Sequence, residues 1–177
     1  MDSINRNQEE DNHENLRGSE AIKKIKDLAD GNTCFFCTGI TTGKEVTVRP
    51  MSVQKVDEAG NLWFLSSDDS YKNEDIERDP KVQLLFKGSS HSDFLSLYGN
   101  ATISRDKEVI KELWQPILKT WFTEGIDDPR ITVIKVSSDS GYYWDTKHGD
   151  AIALLKMAAG AIMGKTLDDS IEGKIEA

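Results

Sequence analysis

The sequence predicts a mainly β fold, a small and mostly antiparallel barrel with flanking helices. Three observations lead there. Apolar runs of strand length recur between residues 33 and 136, and short turns such as "TTGK" at 41–44 and "DEAGN" at 57–61 join several of them. Few helical stretches lie between the runs, so sequence neighbours are expected to pair as hairpins. Finally, 177 residues suit one domain, and closing six or seven strands into a barrel removes their exposed edges.

Residues 1–18, "MDSINRNQEEDNHENLRG", are rich in Asn, Glu and Asp and read as a disordered polar tail. A helix is expected from Ser19, the cap, with Ile22, Ile25 and Leu28 on its apolar stripe and "DGN" ending it at 30–32. Strands are expected at 33–40, 45–56 and 62–66, with Val46 and Val48 facing the core. A short helix follows over about 70–78 and stops before Pro80. "KVQLLFKG" at 81–88 is the fourth strand, and "DFLSLYGNATISRD" at 93–106 a long fifth one with Leu95 and Leu97 on one face. A helical stretch over 106–122 contains Pro116, which should kink or divide it. "RITVIKV" at 130–136 is the sixth strand and "GYYWDT" at 141–146 a separate extended piece. An Ala-rich apolar helix is expected at 149–163, which closes a domain spanning 19–165, and 166–177 reads as a polar tail. The helices near 106–122 and 150–163 carry more apolar surface than one small barrel needs, which points to a homodimer.

Composition narrows the partners. Hydrophobic residues make up 37% of the chain and charged residues 30%, with a net charge of −9 and a pI of about 4.8. That balance opposes nucleic acid and anionic membranes as partners. The first 18 residues hold no apolar signal region. The most apolar stretch, "MAAGAIMG" at 157–164, is far shorter than the roughly 18 residues of a membrane span. A cytoplasmic location is the expectation. Cys34 and Cys37 form a C-x-x-C on a predicted strand, where such positions face opposite ways at about 10 Å. A disulfide needs Cα atoms within about 7 Å, and no second ligand pair completes a zinc site, so structural thiols are expected. The histidines, His13, His91 and His148, suggest no catalytic centre. No catalytic side chain can be named.

The stretch with chemical content is "SSDDSYKNEDIERDP" at 66–80. Ser70 is a good helix cap, and Glu74, Asp75 and Glu77 suit a solvated face. Lys72 does not suit a helix first turn, where the dipole is already positive. Two readings stand: a solvated lysine among acids, or one that helps the helix N-terminus hold a phosphate. Arg49, in "VTVRPMSV", sits beside Pro50, which holds it extended. Arginine is the side chain best shaped for two-point contact with phosphate, though an ordinary surface arginine reads the same way. The "DEAGN" turn should pair strand 45–56 with strand 62–66. That pairing would let Arg49, Ser70 and Lys72 converge on one phosphate. Trp63 and Phe64 lie where a planar ligand could rest. Trp114, Trp121, Phe122 and Trp144 suit either a core, a dimer interface or a wall for a planar cofactor.

The ordered set "VRPMSV", "GNLWFLSSDDSYK", "DPKVQLLF", "SLYGNATISRD", "ELWQPILKTWF" and "GIDDPRITVIKV" followed by "YYW" runs from about residue 20 to 165. Together these segments resemble the general stress protein branch of the pyridoxamine 5'-phosphate oxidase-like superfamily. The resemblance implies an FMN-binding split β-barrel of Greek-key-like topology, usually a homodimer with two sites at the subunit interface. Carried over, Arg49 and Lys72 match phosphate-binding positions, with Ser70 beside them. Pro50, Met51 and Ser52 match one strand along the flavin, and Trp63, Phe64 and Leu65 a second. Trp121 and Trp144 match aromatics that reach the flavin from the other subunit. FMN is the expected cofactor, with FAD as the alternative.

The chain departs from the oxidase proper. It has Asp93-Phe94-Leu95 ahead of Gly99 where that enzyme reads Arg-Gln-Val, and it ends "DDSIEGKIEA" in place of an Arg-rich motif. The resemblance therefore implies an FMN-dependent oxidoreductase that takes electrons from NADH or NADPH and passes them to a small acceptor the sequence does not name. The alternative is a protein that binds or buffers flavin without turnover. Oxidation of pyridoxamine phosphate is disfavoured.

Overall fold

The structure, a computed structural model, describes residues 12–89, 92–163, 167 and 169–177. Its helices are α1 (Ser19–Ala29), α2 (Tyr71–Arg78), α3 (Lys107–Leu113) and α4 (Asp150–Met163). Its strands are β1 (Leu16–Arg17), β2 (Thr33–Thr38), β3 (Thr47–Ser52), β4 (Lys55–Val56), β5 (Leu62–Ser67), β6 (Lys81–Lys87), β7 (Phe94–Ser104), β8 (Ile131–Thr146) and β9 (Ser170–Glu176). The helical stretch expected over 106–122 is divided at Pro116, into α3 and a 3₁₀ turn over Pro116–Thr120.

The barrel closes through a bent strand. β2 pairs with β3 on one side and β6 on the other; β6 continues to β7, β7 to β8, and β8 to β5. β5 pairs with β4, which follows β3 after only Val53 and Gln54. β3 and β4 therefore act as one strand that leaves β2 and joins β5, with Gln54 N–H donating to the Trp63 carbonyl at the bend. Six walls result, and the fold is a split barrel. The expected pairing of 45–56 with 62–66 is thus correct only at its far end, Lys55 opposite Trp63 and Val56 opposite Leu62. Arg49 lies opposite Phe36 on β2 instead.

The predicted faces of β3 are also reversed. Val46 and Val48 are about half exposed, while Thr47, Arg49 and Met51 turn partly inward. Among the described residues β3 pairs with β2 alone, and an edge tolerates Pro50.

β7 alternates as its sequence suggests, with Leu95 and Leu97 buried. They join Ile25, Phe36, Phe64 and Leu84 in the main core. A second, smaller core gathers Leu65, Ile110, Leu113, Phe122 and Val133 beneath α3. Cys34 and Cys37 are both buried and free, and burial pushes the Cys34 thiol up to about 12. They are packing residues.

Three other segments differ from the sequence reading. "SSDSG" looks like a break, yet β8 runs through it with only a register irregularity opposite Tyr98 and Gly99. Gly99 is required there, since a Cβ would lie 2.3 Å from the Ser137 carbonyl oxygen. Residues 170–176, read as a tail, form β9 along the second half of β8. Residues 12–17, read as disordered, lie on β9, with β1 parallel to it; residues 1–11 are outside the described part. α1 starts as expected, but Gly18 rather than Ser19 occupies the cap position.

α4 is apolar and poorly covered: Leu154, Leu155 and Ile162 are each more than half exposed. Lys156 of α4 reaches the fully buried Asp169 at 2.8 Å, and the His148 imidazole approaches the same carboxylate at 2.7 Å. His148 thus has a carboxylate partner, while His91 lies outside the described residues. Burial pushes the Asp169 carboxyl up, but the bonds from Lys156 and His148 outweigh it and hold it at about 2. Among the described residues no helix is long and apolar enough to cross a membrane.

Candidate functional site

The site forms where β3, the end of β5 and the start of α2 meet. β5 delivers Ser66 at its polar end, "SSDDS" turns the chain, and α2 begins after Ser70. Ser70 holds the cap position, but its hydroxyl does not bond a backbone N–H of the first turn. It donates instead to the Asn73 side-chain oxygen at 3.1 Å. Ser66 does the same at 3.0 Å.

Lys72 is not a solvated lysine. It is 5% exposed, and its ammonium donates to the hydroxyls of Ser66 and Ser70. Burial first, and then the nearby Arg49 guanidinium, bring its pKa down from 10.5 to about 8. Arg49 Nη1 is itself buried and has no hydrogen-bond partner. The nearest carboxylate, Asp75 Oδ2, is 3.6 Å away and is already held by the Thr38 hydroxyl at 2.9 Å. A buried donor left unpaired costs roughly 1–3 kcal/mol. Two neighbouring cations, one with a buried nitrogen that lacks a hydrogen bond and one with its pKa depressed, make an arrangement that an anion stabilises. The helix dipole of α2 adds to the same sign. These residues fit the phosphate of a flavin nucleotide.

Sequence reasoning named Arg49, Ser70 and Lys72, and the structure brings them together. The route differs from the one expected: α2 carries Lys72 to Arg49 while β3 stays with β2. Sequence reasoning missed Ser66, Asn73 and Asp75. The spacing Ser70-x-x-Asn73 was a usable signal, because it places a polar side chain at the third helical position.

The remaining candidates are spread along the walls. Pro50 and Ser52 are exposed on the outer side of β3, and Met51 packs against the main core. Phe64 cannot offer its ring to a ligand. It is fully buried, edge-on to Phe36 at 5.3 Å. The Trp63 indole N–H donates to Asp57 at 2.9 Å, Lys135 lies over its ring, and Leu65 belongs to the second core. The expected aromatic resting place at 63–64 is therefore part of the barrel wall. Trp121 is 64% exposed, and Trp144 is partly exposed beside Tyr142.

Trp144 belongs to a broad apolar face. The register puts Pro50, Phe35, Leu85, Ser96 and Tyr142 side by side across five strands. Phe35, Leu85, Phe94 and Trp144 line a shallow cavity of about 360 Å³ there. Among the described residues no group of three or more His, Cys, Asp or Glu is placed to hold a metal ion.

Comparison with known proteins gives a consistent picture. Protein bli-3 of Neurospora crassa is 28% identical over 156 residues, covering 81% of this chain and 75% of that protein. A structure described as a general stress protein 26 from Jannaschia sp. CCS1 superposes with a TM-score of 0.74 at 22% identity, covering 90% of this chain and 100% of the other. The general stress FMN/FAD binding protein from Xanthomonas citri gives 0.57 at 23% identity, over 68% and 84% of the two chains. At these identities the two structures show a shared fold. The sequence pattern described as "Pyridoxamine 5'-phosphate oxidase like" matches residues 20–168, and the chain belongs to that family.

Proposed function

We propose that the protein binds FMN, with the phosphate held by Arg49, Lys72 and the start of α2, and acts as a flavin-dependent oxidoreductase. The observation that carries the binding is the buried Arg49 Nη1 without a hydrogen bond, set against the buried Lys72 ammonium. The FMN/FAD-binding description of the Xanthomonas citri protein supports the cofactor class. Bound flavin would supply the electron chemistry, with NADH or NADPH as donor; the chain's part is binding, orientation and electrostatics. Lys72 and Arg49 offset phosphate charge. Pro50, Met51 and Ser52, with the backbone of residues 63–65, would flank the rest of the cofactor.

A second copy of the chain is the fitting cover for the outer sheet face around Phe35, Leu85 and Trp144, which is too apolar and continuous for a lone barrel. Trp121 and Trp144 of the partner subunit would then close over the flavin.

The test begins with colour. Protein purified with its ligand should absorb near 450 nm, as oxidised flavin does, and the released ligand should have the mass of FMN. Arg49→Ala should weaken FMN binding roughly 10- to 100-fold, the size of one charge-assisted contact, with riboflavin little affected. Equal loss for both would show that Arg49 does not hold the phosphate. Bleaching of bound flavin within seconds of mixing with NADH or NADPH supports turnover. No bleaching by either nicotinamide at full occupancy would leave a flavin-binding protein.

A further inference from the structure

Beneath the anion site lies a chain of hydrogen bonds with one consistent direction. The Ser66 carbonyl can only accept, so the Thr132 hydroxyl at 3.0 Å must donate to it. Thr132 Oγ1 then accepts from the Asn73 side-chain NH₂ at 2.9 Å. That fixes the amide, with Oδ1 turned toward Ser66 and Ser70 as an acceptor for both at 3.0 and 3.1 Å. The other acceptors in reach of these hydroxyls, the Ser67 carbonyl at 3.3 Å from Ser66 Oγ and the Ser66–Ser70 oxygen pair at 3.2 Å, are longer, so both protons are assigned to Asn73. What the serines have left is lone pairs, and both point at the Lys72 ammonium. Asn73, Ser66 and Thr132 are each at most 4% exposed, so water does not substitute for the links among these three.

From this geometry we infer that Asn73 and Thr132 are positioning residues of the anion site. They hold the two serine hydroxyls as acceptors, which keeps Lys72 charged and leaves its remaining N–H for the anion. The inference rests on the reading of Lys72 as a phosphate contact, and extends it to two residues that touch no ligand. It has a consequence for recognition. With their protons committed to Asn73, Ser66 and Ser70 offer an incoming phosphate no donors. Besides the first-turn N–H groups of α2, the side-chain donors available are the third Lys72 proton and Arg49 Nη1. Among the described residues the charge acting on Lys72 is that of Arg49 on β3, whose own neighbour is Asp75 on α2; β5 and β8 bring the neutral Ser66 and Thr132.

Thr132→Val and Asn73→Asp test it from opposite directions. Valine keeps the shape and removes the proton that orients Asn73. The amide is then free to turn its NH₂ toward the serines, whose protons would face Lys72. The Lys72 titration, followed by NMR of the side chain in flavin-free protein, should move down by about one unit. FMN affinity at pH 8 should fall about tenfold. Asn73→Asp puts a carboxylate behind the same hydroxyls and should move the Lys72 midpoint up. Thr132→Ser restores the hydroxyl and should restore both readouts. Opposite shifts with serine rescue support the relay. An unmoved Lys72 midpoint in both variants would overturn it, even if folding stability falls. If the midpoint moves as described but the parent protein binds no FMN, the relay stands and the flavin assignment fails.

Discussion

FMN binding should weaken as pH rises above 8, and the structure sets the size of the effect. A lysine with a pKa of about 8 is roughly nine-tenths protonated at pH 7 and roughly one-tenth at pH 9. The phosphate is already a dianion at the lower pH, so it adds no titration of its own. If only the ammonium form of Lys72 holds the phosphate, the Kd for FMN rises about tenfold from pH 7 to pH 9. The sign follows from the depressed pKa: bound phosphate raises it again, so binding above pH 8 must take up a proton. Riboflavin, without a phosphate, should show a flat profile. Lys72→Met should bind FMN roughly 10- to 100-fold more weakly at pH 7 and lose the pH dependence. Flavin fluorescence titrations at half-unit pH steps supply the constants. An FMN Kd that is the same at pH 7 and pH 9, or that falls away in parallel with riboflavin's, refutes the placement of the phosphate on Lys72.

Other outcomes follow from the packing. In flavin-free protein Lys72→Met should raise the melting temperature at pH 7 by roughly 2–4 °C, the scale of 1 kcal/mol for a domain this size. The gain should shrink as pH rises through 8, because the native lysine then sheds the charge that burial penalises; a gain constant with pH would contradict the assignment. Gly173→Ala would set a Cβ 1.7 Å from the Glu14 carbonyl oxygen. It should cost about 1–3 kcal/mol in urea melts, and removal of residues 1–17 should abolish that cost. Asp169→Asn should loosen α4, whose Lys156 and neighbouring His148 share that carboxylate. Limited proteolysis should then cut within 148–163 first, at a stability loss of about 1–3 kcal/mol.

The sequence was informative wherever one face was buried and the other wet. β7 could be read from its alternation, and α2 from Ser70 at one end and Pro80 at the other. It misled where that simple contrast fails. Val46 and Val48 look like core residues, yet they lie on an outer face that is itself apolar, so hydrophobicity could not tell inside from outside. The bend after Ser52 has no turn signature, so the change of partner from β2 to β5 was invisible and the hairpin was extended too far back. "SSDSG" has turn composition, but the long-range partners on β7 hold it in the strand. At the site, Lys72 stood out by its position in the helix. Asn73 had a local signal in Ser70-x-x-Asn73, but Ser66 and Thr132 did not, because the contact between residues 66 and 132 is one that local pattern does not encode.

The position of β9 carries a consequence for the order in which the chain is built. β1 pairs with β9, and the Lys174 N–H donates to the Asn15 side chain across 159 positions of sequence. During synthesis the barrel strands from β2 to β8 emerge with their partners already present or soon to follow. Residues 12–17 wait until residues 170–176 have left the ribosome before β9 gives them a surface. Contacts so distant in sequence form late. A chain released after truncation at residue 165 should therefore hold a formed barrel and a loose N-terminal arm, which an added protease would clip first.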